Sequence, residues 1–182
     1  MRIIAGKFKG RILDCPKDNS IRPATDRAKG VIFNVLQNRL NLVGANVLDL
    51  FAGSGSLAFE ALSRGASGAV FVENRKSVLD FIRSNAEKLD CLDACEIVLS
   101  DAESYIKTEM IQYDLIFADP PYAYAETGEF PLLVFQGKLL KCAGFLIIEH
   151  EKQTTFQTSP LYRMEIQKQF GSTRISFFSH SS

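Results

Sequence analysis

The rhythm of apolar positions changes several times along the chain. Predominantly apolar runs occupy residues 47–51, 69–72, 97–99, 113–118 and 145–148, broken only by Asp49 and Asp114. Between them lie stretches whose apolar residues recur every three or four positions. The first pattern reads as strands buried on both faces, the second as amphipathic helices. Ala28, Val31, Ile32, Val35 and Leu36 mark one helix, with Thr25 or Asp26 as its cap. Residues 57–62 form a second, Val78, Leu79, Ile82, Ala86 and Leu89 outline a third, and residues 132–140 read as a fourth despite Gly137. Strands alternating with helices predict a Rossmann-like, doubly wound α/β sheet, mostly parallel. The tail departs from that rhythm: residues 162–170 and 173–178 flank Gly171 and Ser172, which predicts a closing antiparallel hairpin. At the other end, residues 1–4 and 10–13 are extended candidates around a tip of Gly6, Lys7, Phe8, Lys9 and Gly10. Turn-rich, irregular chain is expected from Pro16 to Pro23. A length of 182 residues suits one domain, with residues 1–40 as a small N-terminal extension.

Composition narrows the class. Hydrophobic residues at 46% and charged residues at 23% are ordinary for globular proteins and exclude disorder, collagen and coiled coil. The longest apolar stretch is far short of the ~20 residues of a spanning helix, and the first residues turn charged too early for a secretory segment. Cys15, Cys91, Cys95 and Cys142 lack CxxC spacing, and His150 and His180 have no ligand-spaced partners. A cytoplasmic protein with reduced thiols and no metal is expected. Net charge is zero but unevenly spread: residues 1–45 hold nine Lys or Arg against three acids, net +6, and the remainder is net −6. A basic arm on an acidic body is the footprint of a polyanion-binding protein.

Chemistry gathers at the predicted strand ends, where ligands bind in open α/β sheets. The first strand runs into Asp49-Leu-Phe-Ala-Gly-Ser-Gly55, whose glycines permit a tight turn and close ligand approach. The helix behind it aims free N–H groups at that ligand. Glu73 ends the second strand, where a carboxylate can accept from both hydroxyls of a ribose, and Asp101 ends the third, where it could accept from an adenine amine. Together these predict an adenosine-containing ligand. The fourth strand ends in Asp119-Pro-Pro-Tyr122. Two prolines remove N–H donors and leave carbonyls beside a carboxylate, a turn that only accepts hydrogen bonds. Such a turn suits an exocyclic amine, and Tyr122 adds a ring able to stack on a base.

Asp49-x-Phe-x-Gly-x-Gly followed by Asp-Pro-Pro-Tyr resembles the class I, S-adenosylmethionine-dependent amino-methyltransferases. Five further blocks, namely residues 2–11, 22–27 before Phe33-Asn34, 48–57, 60–66 and 117–122, are similar to the bacterial RsmD family, and they span almost the whole chain. Family members methylate the N2 amine of a guanine in 16S ribosomal RNA. The resemblance implies that Asp49, Phe51, Ala52, Gly53, Gly55, Glu73, Asp101 and Ala102 hold S-adenosylmethionine, leaving S-adenosylhomocysteine as product. It assigns Asp119, Pro120, Pro121 and Tyr122 to the target amine. The basic arm, Lys7, Lys9 and Arg11 at the tip with Arg22, Arg27 and Lys29 nearer the cleft, is expected to meet RNA phosphates. The implied substrate is the small ribosomal subunit or a late assembly intermediate; a monomer is expected by default. Gly30 and Ala24 depart from the family pattern, both in the RNA-facing block. Three other readings compete: an adenine-amine methyltransferase on DNA or RNA, a nicotinamide dehydrogenase, and a catalytically silent RNA-binding assembly factor. A dehydrogenase would leave the Asp-Pro-Pro-Tyr turn without a role, and no separate DNA-recognition domain is evident.

Overall fold

The computed structural model describes residues 1–16, 26–121 and 124–181. Seven strands form one sheet: β1 (Asn46–Asp49), β2 (Gly68–Glu73), β3 (Cys95–Leu99), β4 (Tyr113–Ala118), β5 (Leu140–Glu151), β6 (Tyr162–Phe170) and β7 (Thr173–His180). Their spatial order is β3-β2-β1-β4-β5-β7-β6. The first five are parallel, and β7 runs antiparallel to both β5 and β6. The doubly wound sheet with its closing hairpin is as the apolar rhythm predicts. The order reverses between β1 and β4, which opens a crevice at their carboxyl ends.

Alternation along each strand sorts side chains onto two faces. Val47, Phe71, Leu115, Phe117 and Ile147 point to the layer of α1 (Asp26–Leu36), α2 (Ser56–Ser63) and α3 (Lys76–Lys88). Leu48, Val70, Ile116, Leu146 and Ile148 point to α4 (Ala102–Thr108) and α5 (Phe130–Gln136). The helix expected at residues 132–140 is corrected: it ends at Gln136, Lys138 adopts a positive φ, and Leu140 already pairs with Tyr113 in β5. The apolar residues 139 and 140 continue the helical period by coincidence, but they are buried where the chain enters β5 rather than along a helix. The sequence pattern also passed over α4.

Residues 1–14 fold back along α2. Ile3 and Leu13 are buried in the same core as α2, and the two extended segments share one antiparallel bridge, Arg2 to Ile12. Glu60, fully buried in α2, accepts the amides of Ile4 at 2.8 Å and Ala5 at 3.0 Å, and Arg64 donates to it at 2.9 Å. Further down, Lys7 N–H donates to the Ser63 carbonyl at 2.7 Å and Phe8 N–H to Ser63 Oγ at 2.9 Å. Gly6 sits between them with φ +78°, and a Cβ there would lie 1.9 Å from the Ser63 carbonyl oxygen. Only glycine permits that approach. The hairpin therefore starts near the crevice, where Met1 Sδ lies 3.6 Å from Ser54 Oγ, and its tip reaches the opposite edge of the sheet.

Candidate active site

Asp49 ends β1 and is buried, with its carboxylate accepting from the backbone amides of Phe51 and Ala58. The second of these belongs to the first turn of α2, so Asp49 ties the strand end to the helix start. Burial drives its pKa up from 3.8 to about 7, and the neighbouring Glu73 adds to the rise. Gly55 takes φ +75° and packs against Phe59 and Phe71, where a Cβ would come within 2.7 Å of the Phe59 ring. That backbone reversal brings Gly53 N–H to Glu73 Oε2 at 3.1 Å. Glu73 is itself buried, and its Oε1 accepts from Arg75 N–H at 3.1 Å and Arg75 Nε at 2.9 Å. Arg75 escaped the sequence reading, which looked for acceptors and not for the cation that occupies them.

Asp101 begins α4 as its N-cap, with Oδ1 accepting from Ser104 N–H at 2.9 Å. Those hydrogen bonds hold its pKa below the ordinary carboxylate value. Ala102 follows, buried in the first turn. Across the switch point, β4 ends at Ala118 and leads into Asp119, half-buried, then Pro120, buried, and Pro121, exposed. The Pro121 carbonyl accepts from Tyr124 N–H at 2.8 Å, closing the turn. Tyr124 was not foreseen either. Its ring packs edge-on against Phe51, with centroids 5.5 Å apart, and against Phe130, and its hydroxyl donates to Glu103 at 2.7 Å. Phe51 therefore joins the glycine loop to the proline turn through an aromatic cluster. A small cavity of about 30 Å³, room for about one water, lies behind the turn among Asp119, Pro120, Thr127, Glu149 and His150. His150 is buried, donating from Nδ1 to the Glu151 carbonyl at 2.8 Å and accepting at Nε2 from Ser176 Oγ at 2.8 Å. Both ring nitrogens are spent on β5 and β7, so its role is structural.

The fold thus gathers Asp49, Phe51, Ala52, Gly53, Gly55, Glu73, Asp101, Ala102 and Asp119–Pro121 along one edge of β1–β4. Tyr122 lies outside the described residues, as does Arg22. Lys7, Lys9 and Arg11 are exposed, but Lys7 and Lys9 stand at the opposite edge, beside the end of α2, and Arg11 lies partway along the hairpin, where its carbonyl accepts from Ile3 N–H. Arg27 is on the crevice side, with its guanidinium 5.8 Å from the ring centroid of Phe170 at the β6–β7 turn. Lys29 is a correction. It is fully buried, and its ammonium donates to the Arg2 carbonyl and pairs with Asp26 at 3.4 Å, so it fastens the hairpin to α1 instead of facing phosphates. Among the described residues no three His, Cys, Asp or Glu side chains cluster as metal ligands would, and no helix is long and apolar enough to cross a membrane.

Comparison with known proteins agrees with this layout. The family described as Conserved hypothetical protein 95 matches residues 1–179. The ribosomal RNA small subunit methyltransferase D of Haemophilus influenzae is 32% identical over 174 residues, covering 94% of this chain and 89% of that protein. Its Escherichia coli namesake is 34% identical over 160 residues, 88% of this chain and 79% of that one. Among solved structures, the E. coli protein yhhF superimposes with a TM-score of 0.88 at 30% identity, over 100% of this chain and 98% of that one. SMU.776, solved with S-adenosylhomocysteine, shares the fold at a TM-score of 0.68 and 17% identity, over 88% of this chain and 51% of its own. The chain belongs to the Conserved hypothetical protein 95 family, together with the ribosomal RNA small subunit methyltransferase D proteins of Haemophilus and Escherichia.

Proposed function

We propose that this chain transfers a methyl group from S-adenosylmethionine to the exocyclic N2 amine of a guanine in 16S ribosomal RNA. The observation that carries the reading is the acceptor-only turn Asp119–Pro121, set across the switch point from the glycine loop. Family membership supports ribosomal RNA as the substrate, since the Haemophilus and Escherichia relatives carry that activity in their names. The donor set suits the cofactor: buried Asp49 and Glu73 and exposed Asp101 are acceptors, matched to a ligand bearing hydroxyls, amines and a positive sulfur. For a ribose to reach Glu73, Arg75 must release Oε1.

The sulfonium supplies the electrophilic methyl, so the protein's task is orientation. Asp119 and the Pro120 carbonyl accept the two amine hydrogens and turn the nitrogen lone pair toward the methyl. Positioning of this kind accounts for ~7–11 kcal/mol of barrier lowering. Asp119 need not be a strong base, because the amine becomes acidic only once it is methylated. The target base is extracted from its stack to reach the turn, and Tyr122 stacks on it. Arg27, with Lys7, Lys9 and Arg11 on the extension 1–40, meets phosphates of the small subunit or a late precursor. The enzyme works as a cytoplasmic monomer.

Methyl transfer to small subunits lacking the modification, followed by nucleoside analysis, tests the reading. N2-methylguanosine is expected, and Asp119→Ala should lower turnover at least 100-fold with unchanged cofactor affinity. Label in N6-methyladenosine would move the target to an adenine amine. Full turnover by the Asp119 variant would remove the proline turn from the mechanism.

A further inference from the structure

A cavity of about 480 Å³ opens at the sheet edge opposite the crevice, where none of the methyl-transfer residues stand. The buried ring of Phe33 forms part of its lining, with Gln37, Asn38, Arg39, Asn41 and Arg64 around it, and no carboxylate lines it. Arg64 is held in one orientation from two sides. Its Nε donates to Glu60 at 2.9 Å, and its guanidinium carbon lies 4.5 Å from the Phe33 ring centroid. With Nε committed, the terminal nitrogens are the donors a ligand would meet. Arg39 has a side chain 42% exposed and only a loose pairing with Glu165, at 4.0 Å. An exposed pair of that length is weak enough for a phosphate to replace.

The two arginines follow the carboxyl ends of α1 and α2, and three carboxamide side chains, Gln37, Asn38 and Asn41, stand beside them. The cavity therefore combines guanidinium donors with carboxamide groups that also accept. A bare anion would use only the first. A ribose-phosphate uses both: its phosphate takes the guanidinium fork, and its 2′-hydroxyl donates to a carboxamide. The volume lies within the range of ~300–1,000 Å³ typical of small-ligand sites. A second feature points the same way. Ser63, next to Arg64, anchors the basic hairpin tip, so Lys7 and Lys9 stand on this same edge.

We propose that this cavity is a second RNA-binding site, taking one ribose-phosphate of the substrate RNA at the edge remote from the reacting amine. The inference rests on the RNA-modifying reading above and adds a far anchor to it. Lys7 and Lys9 then extend the anchor along the strand beyond the cavity.

Arg39→Glu and Asn41→Asp test it, since both side chains are exposed and the aspartate keeps the turn that Asn41 Oδ1 makes with Val43 N–H. Thermal melting confirms that each variant folds. RNA binding is then measured directly, without turnover, across a salt series, alongside cofactor affinity by calorimetry. Each variant should weaken RNA binding about tenfold, and Arg39→Glu, which removes a phosphate contact, should flatten the salt slope by about one unit. Cofactor affinity and turnover at saturating RNA should stay within about twofold. Wild-type affinity and slope in both variants would overturn the proposal. So would tight binding of free guanosine monophosphate that the variants abolish while RNA affinity is untouched. Absence of methyl transfer by the wild-type protein would instead count against the enzymatic reading, because RNA binding is read independently of turnover.

Discussion

Asp49 holds a carboxyl group that folding takes out of water. Its carboxyl titrates near pH 7 in the folded protein against 3.8 ordinarily, so the native state favours the protonated form. That contribution is complete below about pH 4, declines as the pH rises and is lost above about 7. At 1.36 kcal/mol per unit it amounts to about 4 kcal/mol. Asp49→Asn cannot ionise, so denaturant unfolding should find the variant gaining on the wild type by up to about that amount between pH 4 and pH 7.5. A constant difference over this range would mean that Asp49 stays ionised throughout. The sequence could place Asp49 at a strand end, but not foretell its charge state, which depends on burial by α2 and on Glu73 across the loop. Lys29 carries the same lesson in reverse. Its position among other cations read as a phosphate contact, and only the Arg2 carbonyl, brought from elsewhere in the chain to join Asp26 one helical turn away, shows why it is buried.

At the scale of elements, α2 explains the N-terminal hairpin. Every residue from Ser56 to Ser63 is buried, because the sheet covers one side and residues 1–14 the other. A helix enclosed in this way has no need of a polar face, which leaves Glu60 conspicuous in the middle. Its carboxylate compensates two hairpin amides and Arg64. Glu60→Ala should therefore cost about 3–5 kcal/mol, and amide exchange at Ile4 and Ala5 should accelerate more than exchange in β1 and β4. Equal acceleration everywhere would show that the hairpin has no separate attachment. Strands and helices with a strong apolar period were legible beforehand, as were the acids and glycines at strand ends. The α4 segment was not, because it is short and begins at Asp101, a residue read as a ligand and used also as a cap. Arg75 and Tyr124 were missed for a related reason. Arg75 pairs with Glu73 only two positions away, from beyond the end of β2, and Tyr124 acts through Phe51 and Glu103, which are distant in sequence.

Over the whole molecule, the proposed contacts fall at two edges of one sheet. Six residues of β4 span about 20 Å at roughly 3.3 Å each, which sets the separation between the amine turn and the far cavity. An RNA fragment too short to bridge that distance loses the far contact. Its KM should then be the same for wild type and Arg39→Glu, whereas intact small subunits should separate the two proteins about tenfold. Equal sensitivity in both substrates would place Arg39 against the RNA close to the target. The sheet order has a consequence of a different kind. Strand β7, last in the chain, lies inside the sheet with β5 on one side and β6 on the other. During synthesis, β5 and β6 emerge first with no partner between them, so each presents an open edge until residues 173–180 arrive. The right half of the sheet therefore closes only when those residues have left the ribosome, and a chain interrupted before them carries two strands primed to pair with other chains.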